Sequence, residues 1–175
     1  MKKVIFLFMF CLLLVGCSTS TGGGTPEKSD VDVMIDVNQF SRISSSELVE
    51  IMGEPQKIDD YEWLVPKTGK SIVGKLYIYE DSKYEFILFD DKVVKLDIYS
   101  GTFMGYDDSR FSFDSEEDIF AMFNIEPNSN MKKTADTNYA LRFSPISETV
   151  ADVWIQEISD DQFDIAKFTY NVNYF

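Results

Sequence analysis

The sequence predicts an α+β fold: two tandem units, each a short helix packed on an antiparallel β-meander, behind a signal peptide and a flexible tether. Three observations carry this. Two short apolar segments each open with a capping residue, Ser44 in the first and Asp114 or Ser115 in the second, followed three residues later by an acid, Glu47 and then Glu117 or Asp118, the reciprocal capping pattern of a helix start. Each is followed by stretches of period-two alternation broken by tight polar turns, the mark of paired strands. The order helix, proline, strands then occurs twice.

Taken in order, Met1-Lys2-Lys3 and the apolar run Val4 to Val15 form a charged n-region and a short h-region, too short to span a bilayer. Leu14-Val15-Gly16-Cys17 closes it as a lipobox, so residues 1–16 are expected to be a lipoprotein signal peptide and Cys17 the mature N-terminus. A cysteine is required there because its thiolate attacks a diacylglyceryl donor, and two acyl chains anchor firmly where one does not. Residues 17–38 are expected to be lipidated Cys17 and tether, with structure starting near Val31. The run of Ser, Thr and Gly after Cys17 offers too little apolar surface to offset the entropy of ordering it.

The first unit is placed at 39–100. Ser44 and Glu47 make its capping box, Ile43 and Leu48 a hydrophobic staple, and Gly53 and Pro55 end the helix. From Tyr61 the period is two, through Trp63 and Val65, a Pro66 to Gly69 turn, and three further strands divided at Glu80-Asp81-Ser82 and Asp90-Asp91-Lys92. Setting Val94, Leu96 and Ile98 toward the helix places Leu76, Ile78, Tyr84, Phe86 and Leu88 with them. Tyr77, Tyr79, Phe89 and Tyr99 then fall on the opposite, aromatic face.

The second unit is placed at 101–175, sharing core or sheet with the first. After a connector over Ser100 to Phe113, a helix capped near Ser115 carries Ile119, Phe120, Met122 and Phe123. The segment Asp118 to Pro127 echoes Glu47 to Pro55. Strands are expected at Tyr139 to Phe143, Val150 to Glu157 and Phe163 to Tyr174, the last with a bulge or bend near Ala166-Lys167. In this phase Arg142 and Trp154 join the aromatic face. Pairs of adjacent acids, Asp59-Asp60 among them, are assigned to turns and a helix start.

The helix ending in Met52-Gly53-Glu54-Pro55, the strand Tyr61-Glu62-Trp63 and the meander ending in Asp91-Lys92-Val93-Val94 resemble the unit shared by β-lactamase-inhibitor protein and the BamE/SmpA lipoproteins. That resemblance covers residues 44–99 in order and the second half loosely. It implies binding or scaffolding rather than catalysis, and the inhibitor protein grips its target with the aromatic face of its sheet. The chain also resembles small lipoproteins of Gram-positive bacteria of no assigned activity, some carried on prophages.

Chemistry narrows the function further. The chain has no histidine, and its 2 cysteines, Cys11 and Cys17, lie within or at the end of the signal. Imidazole bases, catalytic dyads that need them, zinc sites of ordinary composition and disulfides are therefore excluded from the exported part. No stretch has the ligand pattern of an EF-hand, and no glycine-rich phosphate loop follows a strand. The formal charge is −14, so phosphate backbones repel the chain and nucleic acid is not expected as a partner. No catalytic residue, metal or cofactor is expected, and the chain is read as not an enzyme. The leading expectation is a binding or adaptor lipoprotein, anchored on the extracytoplasmic face through diacylglyceryl on Cys17. It would meet a protein partner with Tyr77, Tyr79, Phe89, Tyr99, Arg142 and Trp154. An envelope structural or protective lipoprotein, as a prophage exclusion factor would be, ranks second, and a carboxylate-pair hydrolase third.

Overall fold

A computed structural model describes residues 31–175, so the expected signal peptide, Leu14, Val15, Gly16, Cys17 and most of the expected tether lie outside the described residues. The elements run in chain order as a 3₁₀ turn Val37–Phe40, α1 Ser45–Met52, β1 Lys57–Val65, β2 Lys70–Tyr79, β3 Tyr84–Phe89, β4 Lys92–Tyr99 and α2 Gly101–Met104. There follow β5 Phe111–Ser112, α3 Glu116–Met122, β6 Lys133–Thr137, β7 Ala140–Phe143, β8 Asp152–Gln156, β9 Gln162–Phe163 and β10 Ile165–Thr169.

Both capping boxes form. The Glu47 N–H donates to Ser44 Oγ at 3.3 Å while Ser44 N–H donates to the Glu47 carboxylate at 2.7 Å, and Gly53 ends α1 at φ 79°. Ser115 and Asp118 repeat the exchange at the start of α3, at 3.2 and 3.0 Å. Two strong N-caps explain how helices of only eight and seven residues hold their starts.

The strands form one continuous antiparallel sheet in the order β1-β2-β3-β4-β10-β8-β7-β6, with β5 and β9 as a separate short ladder. The fold is thus α+β with a large antiparallel sheet and few helices. The sheet and the core both cross residue 100. Phe86, Leu96 and Ile98 share one buried cluster with Phe123, Phe143, Phe163 and Phe168. The rings meet edge-on or tilted, Phe40 on Phe86 at 4.9 Å and Phe123 on Phe168 at 4.7 Å.

Residues 31–38, expected to belong to the tether, are instead held by this core. Met34 N–H donates to Met122 O at 2.8 Å, and the fully buried Tyr170 hydroxyl donates to Val37 O at 2.8 Å. The chain's first described segment is therefore bonded both to α3 and to the end of β10.

Several expectations need correcting. Tyr77 pairs with Phe86 and Tyr79 with Tyr84, so both tyrosines face the helices, while Leu76 and Ile78 face the other way. The cause is the turn: Glu80, Asp81 and Ser82 all take positive φ, and this four-residue loop sets Tyr79 opposite Tyr84. Val94 also leaves the helix face. Ile87 pairs with Lys95 but Leu88 with Val93, so Val94 is the extra residue of a bulge and turns to the free face beside Ile87 and Phe89. No bulge stands at Ala166-Lys167; the phase changes at Asp164, where β9 gives way to β10. There the buried Asp164 carboxylate accepts from Ser100 Oγ at 2.6 Å and from Arg110 Nε and Nη2 at 3.0 and 2.8 Å. Asp59 and Asp60 lie within β1 rather than in a turn, ion-paired to Lys57 and Lys75. Strand β6 was not expected.

Gly74 in β2 leaves space that a Cβ would fill by colliding with the Leu88 carbonyl oxygen and the Phe89 ring. Gly74→Ala is accordingly expected to destabilise by about 1–3 kcal/mol, read by urea denaturation. Asp164→Ala takes the carboxylate from the Arg110 guanidinium, which is only 19% exposed and keeps the Glu157 and Ser159 carbonyls, and is expected to remove about 1.5–3 kcal/mol in the same measurement.

Candidate binding groove

Helices cover one face of the sheet, and the other face carries an open groove of about 540 Å³. Two cross-strand rows line it. Arg142 of β7, Trp154 of β8, Lys167 of β10, Asp97 of β4 and Glu85 of β3 stand in register as one row. Asp152, Thr169, Lys95, Ile87 and Leu76 form the next. Each residue reaches this face through the parity of its strand, and the rows exist only because β4 pairs with β10.

One end is apolar. Tyr61 and Trp63 stack with centroids 6.2 Å apart, and the C-terminal residues fold back over them. The Trp63 indole donates to Tyr174 O at 2.6 Å, its ring lies 5.4 Å from that of Phe175, and Tyr174 covers Phe89 at 4.9 Å. The other end is charged. The Arg142 guanidinium lies 5.1 Å over the Trp154 ring while its Nε donates to Asp152 at 3.0 Å. Lys95 Nζ pairs with Asp97 Oδ2 at 2.7 Å, and the Tyr99 hydroxyl donates to Glu85 at 3.3 Å.

Three groups here lack partners among the described residues. Asp97 Oδ1 and Trp154 Nε1 are closed off from solvent without a hydrogen bond. Such groups each cost about 1–3 kcal/mol. The Lys167 ammonium lines the groove without an ion pair. Burial is the largest influence on it and pulls its pKa below the usual lysine value, opposed by attraction to Asp97. Burial likewise lifts Glu85 above the ordinary glutamate range, and lifts Tyr99 far above the ordinary tyrosine value with help from Asp97 and Glu85.

Of the expected site residues, Tyr99, Arg142 and Trp154 line the groove together. Phe89 is on the same face but only 2% exposed, beneath Tyr174. Tyr77 and Tyr79 are on the helix face; Tyr79 is buried there, which pushes its hydroxyl up to about 12. Cys17, Leu14, Val15 and Gly16 are outside the described residues. Sequence reasoning missed Tyr61, Trp63, Lys167 and Phe175. The alternation through Tyr61 and Trp63 was visible but not tied in phase to the meander, while Lys167 and Phe175 arrive through contacts distant in sequence.

No family model matches the chain, and no curated protein matches it. Among solved structures, it is similar to the 1.5 Å crystal structure of an extracellular protein containing a SCP domain from Bacillus anthracis str. Ames, at 13% identity and a TM-score of 0.41. The likeness covers 85% of this chain and 50% of that one, so the chain spans about half of that protein's length. With this finding the expectation that the chain is not an enzyme is withdrawn as a correction; nothing in the described residues shows catalysis.

Because the charged form of Lys167 is disfavoured in the folded state, Lys167→Met is expected to raise the urea midpoint at pH 7. The sign follows from linkage: a lysine with a lowered folded pKa weakens the fold while protonated, and this penalty fades as pH rises from that value toward the ordinary 10.4 or so. The advantage of the methionine variant is thus expected to shrink at alkaline pH, measured as the difference in midpoint between the two proteins.

Proposed function

We propose that the chain is a lipid-anchored protein of the extracytoplasmic surface that binds a protein partner in the groove on the free face of its sheet. One observation carries this reading: both tryptophans of the chain line the same open groove, together with Tyr61, Tyr99 and Arg142. Trp, Tyr and Arg are the residue types that supply most of the binding energy at protein interfaces. A sheet face offers them on rigid strands, so little side-chain order is lost on binding. The finer architectural reading, two tandem helix-and-meander units like those of β-lactamase-inhibitor protein and the BamE/SmpA lipoproteins, fits this use of the sheet. Among the described residues no helix is long and apolar enough to cross a membrane. The anchor in this proposal is the diacylglyceryl group on Cys17.

The groove is tested by placing a photoreactive benzoylphenylalanine at Tyr99 or Arg142, and separately at the exposed Ile51 on α1, then irradiating intact cells. A single protein adduct from the groove positions and none from Ile51 is the expected result. Equal capture from Ile51, or no adduct from either groove position, would refute the proposal. The anchor is tested by Cys17→Ala, which should release folded protein into the medium; firm retention on the membrane would count against lipidation.

A further inference from the structure

The donors at the charged end of the groove are not all committed. Lys95 is paired to Asp97, and Arg142 uses its Nε on Asp152. Among the described residues the Nη atoms of Arg142 have no acceptor, and Lys167, its neighbour two strands away in the same row, has no ion pair. Between them stands Trp154, whose indole N–H is buried with no acceptor among the described residues and whose ring face lies under the Arg142 guanidinium. All three lack the same thing, an oxygen to accept a hydrogen bond.

We infer that this end of the groove is a carboxylate subsite, formed by Lys167 and the Arg142 fork over Trp154, and that it takes the acidic side chain of an extended partner segment. The inference rests on the binding-face reading above and names the chemistry of its partner. A guanidinium presents two parallel N–H groups that fit the two oxygens of a carboxylate, and a partly desolvated lysine gains more from such a charge than an exposed one. A carboxylate seated between Arg142 and Lys167 supplies the acceptor that the Trp154 N–H lacks.

Charge balance selects a monoanion. Arg142, Lys95 and Lys167 balance Asp152, Asp97 and Glu85 in formal charge at this spot, and of the three cations Lys167 has no ion pair among the described residues, so one negative charge suits the spot better than two. Exposed acids farther away are screened within about 8 Å at physiological salt, whereas contacts inside the groove are not. A dianion such as phosphate would face three carboxylates, Glu85, Asp97 and Asp152, along the same groove.

Spacing sets the rest of the segment. Leu76 lies three strands from Lys167, roughly 14 Å at the usual strand separation, which is about four residues of extended chain. Four is an even number, so an acid at one position and an apolar residue four positions away point to the same side of the segment. The acid meets Lys167 while the apolar side chain meets Leu76, Ile87 and Trp63.

The probe is the capped peptide acetyl-Glu-Ser-Ala-Ser-Phe-amide, with Gln and Lys versions at its first position. The readout is the pair of indole N–H signals in a proton–nitrogen NMR spectrum, assigned with Trp154→Phe. The Trp63 N–H already donates to Tyr174 O, so the Trp154 signal is the one expected to move downfield. The Glu peptide should bind at least tenfold more tightly than the Gln or Lys versions. Lys167→Met and Arg142→Gln should each remove that preference, while Lys167→Arg retains it. Arg142 is 43% exposed at its side chain, so its variant tests the subsite without disturbing a half-buried position. Equal binding of Glu and Gln peptides, movement of the Trp63 signal alone, or equal binding of free propionate would each overturn the assignment. If benzoylphenylalanine at Tyr99 captures a protein while the Glu peptide leaves the spectrum unchanged, the carboxylate assignment fails and the binding face stands. Failure of both removes both.

Discussion

Everything on the free face depends on the pairing of β4 with β10. These strands are separated by more than sixty residues of chain, yet Ile98 lies against Ala166 and Asp97 against Lys167 in unbroken antiparallel register. Closing so long a loop has an entropic cost that grows only slowly with length. The helix-side residues of the same two strands offset it: Leu96, Ile98, Ala166 and Phe168 are all fully buried. The contacts that stabilise the seam are therefore on one face of the sheet, and the row they align is on the other. Moving β10 by one residue would turn Lys167 into the core and bring Phe168 to the groove.

The ends of the described chain lock this arrangement. Tyr170 follows β10 directly, and its hydroxyl bonds to Val37 while Arg42 donates to its carbonyl. The next residues cross to the free face, where Tyr174 and Phe175 close the apolar end of the groove against Phe89 and Trp63. One short segment thus ties the N-terminal turn, the core and the groove together. The bulge at Val94 contributes from the other side, because it lets β4 present Val94 and Lys95 consecutively to the free face.

How much of this was legible in the sequence differs by the range of the interaction. The helix starts were readable at Ser44 and Ser115 because a capping box is complete within four residues. The turn at Asp90-Asp91 was readable for the same reason, both residues taking positive φ between Phe89 and Lys92. Face assignments were not equally secure. Tyr77 and Tyr79 alternate with Leu76 and Ile78, so either set fits a buried face, and only the loop over Glu80 to Lys83 decides between them. Trp154 and Arg142 were placed on the groove face with Tyr99 because β7 and β8 alternate cleanly. Lys167 was not found, since nothing local says that its strand lies beside β4.

Polar groups in the groove are arranged as a fold optimised for stability alone would not arrange them. A core selected only for packing has little use for a half-buried lysine without an ion pair, a shielded indole N–H without an acceptor, or a carboxylate oxygen without a donor. Here the groups Lys167, Trp154 Nε1 and Asp97 Oδ1 adjoin one another in a single row. On the helix face the fully buried Tyr170 hydroxyl has its acceptor, whereas the closed-off Tyr79 hydroxyl has no partner among the described residues. Two of the three closed-off side-chain atoms without a partner among the described residues, with Lys167 between them, lie where the sheet is open and where Trp, Tyr and Arg converge. A ligand that meets those groups gains in binding what the folded protein forgoes in stability, which is why departures from local consistency in a sequence point to function.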